Sequence, residues 1–117
     1  MALDSDLTIG SDLTLVVVNG LTLNSVLTLA SSGTPSELRF NGTQTLSGTG
    51  RVVFGGTADQ NYLSLFNGSL TIAAGLTVRG ASGTIGNAFL PLTNEGTISA
   101  DVAGGDTIVI RANPFAI

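Results

Sequence analysis

The sequence predicts an all-β chain wound as a parallel β-solenoid, with three short strands per turn and about four turns of roughly 25 residues. Two observations carry this. One short pattern, aliphatic-Thr/Ser-aliphatic, recurs along the whole chain, and its copies keep a fixed three-strand phase. The composition agrees: 16 Leu, 9 Val and 7 Ile stand beside 15 Thr and 11 Ser, a mixture that suits a half-buried pleated surface better than a helix.

The pattern reads Leu7-Thr8-Ile9, Leu13-Thr14-Leu15, Leu21-Thr22-Leu23, Leu27-Thr28-Leu29, Leu63-Ser64-Leu65, Leu70-Thr71-Ile72, Leu76-Thr77-Val78 and Gly96-Thr97-Ile98. Each has the alternation of a strand with one face buried. First strands are set by Leu13, Leu38, Leu63 and Leu90, which stand 25, 25 and 27 residues apart. Second strands follow at Leu21, Leu46 and Leu70, with Ile98 in the last turn, and third strands at Leu27, Val52 and Leu76. The expected organisation is one domain over 1–117: a partial turn in 1–12, full turns in 13–37, 38–62 and 63–89, and an irregular turn in 90–117.

First leads to second after seven or eight residues, and second to third after six. Such short connections cannot hold a helical crossover, and hairpins give no reason for a fixed phase. Each strand therefore pairs in parallel with its equivalent one turn later. The expected inward residues are Leu13, Leu15, Leu21, Leu23, Leu27 and Leu29, then Leu38, Phe40, Leu46, Val52 and Phe54, then Leu63, Leu65, Leu70, Ile72, Leu76 and Val78.

Extra length collects at the third-to-first corner, in 30–37, 55–62 and 79–89, where a binding surface would be built. Asn19-Gly20, Asn41-Gly42 and Asn67-Gly68, with Asn94-Glu95-Gly96, are assigned to the first-to-second corner, since Asn and Gly tolerate the left-handed backbone of sharp bends. Asn41-Gly42-Thr43 and Asn67-Gly68-Ser69 also read as glycosylation sequons, but the turn role is sufficient. In the last turn Pro91 falls in a first strand and implies an edge, the second-to-third connection is stretched over 101–106, and a third strand follows at Thr107-Ile108-Val109-Ile110.

Composition removes many chemistries. Cys, His, Trp and Lys are absent, so thiol, imidazole and lysine chemistry have no residue to use them. Four Arg against eight acids, a net charge of −4, give no basic face for nucleic acid. There is no apolar run of about twenty residues for membrane insertion, and 1–6 lacks the basic and apolar regions of a signal peptide, so a piece of a longer, exported protein is expected. Arg39, Arg51 and Arg79 are scattered and Asp59 stands alone in its loop, so no acid/base pair can be assembled; an enzyme is not expected, nor is a cofactor. Asp4, Asp6 and Asp12 suggest a solvated acidic end that discourages edge pairing rather than a calcium site, and no metal is expected.

Segments 41–50, 52–57, 68–78 and 94–101 resemble the parallel β-helix repeats of large bacterial surface and secreted proteins of the adhesin-like and autotransporter-passenger-like kind. The resemblance covers about residues 13 to 110. It implies a right-handed solenoid, an extracellular or cell-surface location and a scaffold or fibre role. The hydrogen-bond edges above and below each turn and the low charge make other copies of the chain the expected partner, in homo-oligomers or filaments joined through solenoid ends or faces. The alternative is an adhesin module that binds carbohydrate or protein through a corner loop comprising Asp59, Gln60, Asn61, Tyr62, Arg79 and Phe89. Tyr62 and Phe89 each precede a first-strand Leu, so anchoring the loop is favoured over ligand contact for them. A second alternative, ice binding, rests on an outward column of Thr8, Thr28, Val53, Thr77 and Val109 at a spacing of ~4.8 Å.

Overall fold

The computed structural model describes residues 1–102 and 107–117. It is a parallel β-solenoid, and among the described residues it contains sixteen strands and no helix. The first-strand sheet holds β3 (Thr14–Val17), β6 (Ser36–Asn41), β9 (Asn61–Phe66), β12 (Gly83–Gly86) and β15 (Ile108–Arg111). The second-strand sheet holds β1 (Ala2–Leu3), β4 (Leu21–Leu23), β7 (Gln44–Ser47), β10 (Leu70–Ile72), β13 (Leu92–Asn94) and β16 (Phe115–Ala116). The third-strand sheet holds β2 (Leu7–Gly10), β5 (Val26–Ser31), β8 (Arg51–Gly56), β11 (Thr77–Gly80) and β14 (Thr97–Ala100). Every pairing is between a strand and its equivalent one turn away, always parallel.

The core is a set of stacked columns. Leu7, Leu27, Val52, Val78 and Ile98 form one, so successive turns there take 20, 25, 26 and 20 residues. Leu15, Leu38, Leu63, Ile85 and Ile110 form another. Of the seventeen inward residues expected, fifteen are buried; Leu15 is half-buried and Leu13 is 57% exposed.

Several registers differ from expectation. Leu15, not Leu13, stacks on Leu38; Ile72, not Leu70, stacks on Leu46; and Val78, not Leu76, stacks on Val52. All three differences are slips of two residues, which leave every side chain on its expected face, so the alternation cannot reveal them. The fourth turn differs more. Residues 83–86, read as part of a corner insertion, form first strand β12; Leu92 rather than Ile98 lies in the second strand, and Ile98 lies in the third. Residues 108–111 consequently form first strand β15, not a third strand. Pro91 precedes a second strand and accepts from the Leu70 amide at 3.3 Å, and Asn94-Glu95-Gly96 turns the second-to-third corner. The turn boundary drawn at Leu90 therefore moves to β12. Of the stretched connection at 101–106, residues 103–106 lie outside the described residues.

The cause of the missed strand is Phe54. Its ring fills the core beside β12, and a Cβ on Gly83 would lie 2.5 Å from Phe54 Cδ2. Gly83-Thr84-Ile85-Gly86 therefore carries one aliphatic residue and little strand signal.

At the second-to-third corner, the backbone of one turn leaves no room for a Cβ on the next. Gly48, at φ +111°, would place a Cβ 2.1 Å from the Leu23 carbonyl oxygen, and Gly96 would place one 2.3 Å from that of Leu76.

Candidate functional site

The third-to-first corner is held from inside by Asn61. It is fully buried on the same alternation as Leu63 and Leu65. Its Oδ1 accepts from the Ser31 amide at 2.9 Å, and its Nδ2 donates to the carbonyls of Gly55 and Ser82 at 2.9 and 3.0 Å. One side chain thus ties three turns. Gln44 ties two turns at the first-to-second corner, donating to Val17 and Asn41 carbonyls at 2.7 Å each and accepting from the Gly20 amide at 2.8 Å. Among the described residues, no buried side-chain nitrogen or oxygen lacks a partner.

The expected binding loop is dispersed. Asp59 is exposed and lines a shallow groove of about 530 Å³ with Thr57, Ala58, Ala81, Ser82 and Val102, above the two-residue connection between β11 and β12. Gln60 donates to the Gly33 carbonyl at 2.8 Å. Asn61 is the internal clamp, and Tyr62 stands half-buried on the outer face of the first-strand sheet beside Glu37 and Thr84. Arg79 lies on the outer face of the third-strand sheet, 2.7 Å from Asp101. Phe89 is 85% exposed at the first-to-second corner, so it anchors no loop at the third-to-first one.

The outward column also differs. It runs Thr8, Thr28, Val53, Arg79 and Ser99; Thr77 stacks on Arg51, and Val109 stacks on Thr84 in the first-strand sheet. The β-branched strip is three residues long and ends at an ion pair.

The polar cluster that sequence reading missed is on the first-strand sheet. Arg39 donates to both Glu37 carboxylate oxygens at 3.0 Å, and the Ser64 hydroxyl donates to Glu37 Oε2. Burial pushes the Glu37 carboxyl up, but the Arg39 guanidinium and the Ser64 and Thr14 hydroxyls outweigh it and hold the group below its ordinary value of 4.5. Glu37 likewise raises Arg39. The turn spacing was the available signal, since Glu37 and Ser64 occupy neighbouring outward columns.

A carboxyl held low in the fold stabilises above its ordinary value, and that contribution is lost as pH falls through the folded value. Glu37→Gln is therefore expected to be less stable than the parent at pH 7, with the difference shrinking once pH drops below 4.5. Urea midpoints of both proteins across pH 3 to 7 check this; a constant difference would contradict it.

The remaining candidate surfaces are the two ends. At one, β1, β2 and β3 present open edges, with Leu7 and Leu13 exposed. Asp4 and Asp6 are exposed there but bond into the next turn, Asp4 accepting from Asn24 Nδ2 and Asp6 from the Val26 amide, each at 2.9 Å. At the other end β14, β15 and β16 are the outermost strands among the described residues; Ile110 is 37% exposed, and Ile98 and Ile108 are half-buried.

No protein-family model matches the chain, and neither a curated protein nor a solved structure matches it.

Proposed function

We propose that this chain is a structural scaffold segment whose work is to associate with further copies of itself through the solenoid ends. The observation that carries the reading is that, among the described residues, both ends combine strand edges with no further strand beside them and residues from the inward columns, Leu7 and Leu13 at one and Ile98, Ile108 and Ile110 at the other. An open strand edge is a template for another strand, and the carboxylates of Asp4 and Asp6 at one end are already engaged by Asn24 and the Val26 amide of the next turn. The low charge of the chain adds little repulsion against this. The resemblance to repeats of bacterial surface and secreted proteins supports an extracellular or cell-surface fibre or adhesin-like parent.

The second reading, a carbohydrate- or protein-binding module, is favoured only by the groove at Asp59, Ala81 and Ser82. It ranks lower because the other residues expected to join Asp59 do not face that groove. Sedimentation velocity over a concentration series, with electron microscopy of the same samples, tests the leading reading. Growth of larger species and appearance of fibres is the expected result; a monomer throughout, without fibres, would contradict it.

A further inference from the structure

We propose that Asn67 is a site of spontaneous, one-way modification, in which the Gly68 amide attacks the Asn67 side chain and converts it to aspartate and isoaspartate, while the fold protects Asn19 and Asn41 in the same dipeptide. The inference goes beyond the scaffold reading and does not depend on self-association.

Three of the eight Asn are followed by Gly, at positions 19, 41 and 67. A following residue without a side chain leaves its amide open to the preceding carboxamide. All three pairs stand at the first-to-second corner, and the bend at 67–68 is the most demanding. Asn67 has φ +60° and Gly68 φ +84°, and a Cβ on Gly68 would lie 2.5 Å from the Thr43 nitrogen of the neighbouring turn. Asn enters the left-handed region more readily than other residues with a side chain, and only Gly fits after it. The corner itself therefore calls for the reactive pair.

What separates the three pairs is the glycine amide. Its nitrogen has to lose a proton and turn toward the Asn Cγ, so an N–H held by an acceptor has first to be released. The Gly20 amide donates to Gln44 Oε1 at 2.8 Å. The Gly42 amide donates to the Phe66 and Asn67 carbonyls, each at 2.9 Å. The Gly68 amide has no acceptor among the described residues, and the exposed Asn67 carboxamide has no partner among them.

The Gly42 contact has a second effect. The Asn67 carbonyl belongs to the same peptide unit as the Gly68 nitrogen, and loss of the amide proton places much of the negative charge on that oxygen. The Gly42 N–H, 2.9 Å away, stabilises the charge there. One hydrogen bond thus ties up the amide that would attack Asn41 and favours ionisation of the amide that attacks Asn67.

The Gly68 nitrogen gives its proton to solvent and bonds to Asn67 Cγ; the bond from Cγ to the side-chain nitrogen breaks, and that nitrogen takes up a proton and leaves as ammonia. The product is a five-membered succinimide. Water then adds to one of its two carbonyls and opens the ring, giving aspartate or isoaspartate, with no oxidant or reductant involved. Either product adds a negative charge at the corner, and isoaspartate lengthens the backbone there by one atom.

The test ages the 117-residue chain in warm, mildly alkaline buffer, with and without urea sufficient to unfold it by circular dichroism. Samples are digested with pepsin in acid, which halts the reaction, and mass spectrometry reads conversion at each Asn. In the folded chain Asn67 is expected to convert on the order of tenfold faster than Asn19 and Asn41, because their glycine amides react only after local opening. In urea the three are expected to convert at similar rates. Equal conversion of the three in the folded chain, or no conversion of Asn67 there while the unfolded chain reacts, would overturn the proposal. A preference for Asn67 that persists unchanged in urea would trace it to local sequence and would overturn it as well.

Discussion

Asn61→Ala is expected to lower the stability of the chain by about 3 kcal/mol. The Asn61 amide makes three hydrogen bonds at full burial, to the Ser31 amide, the Gly55 carbonyl and the Ser82 carbonyl. Truncation leaves these backbone groups without that partner and opens a void between three turns. An unsatisfied buried group costs ~1–3 kcal/mol, and partial entry of water keeps the total below the simple sum. Against the ~5–15 kcal/mol typical of a folded domain this is a large loss. Urea denaturation of Asn61→Ala beside Asp59→Ala checks it. Asp59 is exposed, so its truncation is expected to stay within about 0.5 kcal/mol of the parent. An Asn61→Ala midpoint equal to that of Asp59→Ala would contradict the clamp.

Gly48→Ala is expected to cost still more, roughly 3–5 kcal/mol. Two penalties add at this corner. A φ of +111° is strained for any residue with a Cβ, and that Cβ would lie 2.1 Å from the Leu23 oxygen, 2.7 Å from its carbon and 2.8 Å from its nitrogen. These are backbone atoms in a neighbouring turn, which cannot move aside without breaking the Gly50 amide bond to that same Leu23 oxygen, made at 2.8 Å. Gly55→Ala is the matched control: its nearest neighbours stand at 3.4 and 3.7 Å and the glycine has no positive φ. Thermal melts of the two variants are expected to separate widely, with Gly48→Ala soluble only in small amounts or melting far below the parent. Parallel melts would mean that the corner is looser than these distances imply.

Both predictions fall on residues that a hydrophobic pattern undervalues, which explains how much of the fold the sequence revealed. The 25-residue period holds for one step in each sheet, from Leu38 to Leu63, from Leu21 to Leu46 and from Leu27 to Val52, where the partners are unambiguous. Where two aliphatic residues flank a Thr, as in Leu13-Thr14-Leu15 and Leu76-Thr77-Val78, either can start the repeat and only packing decides. Where the core is filled from a neighbouring turn, as Phe54 fills it beside Gly83, the strand loses its apolar signature altogether.

The candidate site was less legible for a related reason. Asn61 looked like a loop amide, yet it stands two residues before Leu63, as Ser36 stands before Leu38, and that parity points both inward. Alternation continues past the last aliphatic residue, and the polar positions it reaches are those that close the corners. Phe89 stands apart from Asp59 because residues 83–86 form β12, which puts it at a different corner, whereas Tyr62 and Arg79 stand apart because they lie on the outer faces of two different sheets.

The central claim is that copies join along the solenoid axis so that the internal strand stack continues from one molecule into the next. X-ray diffraction from aligned fibres of the 117-residue chain tests it most directly. Stacking through the ends predicts a sharp reflection at ~4.8 Å along the fibre axis, since the strands of every copy would run across that axis. A ~4.8 Å reflection perpendicular to the fibre axis would mean that the copies join side by side, and would contradict the account.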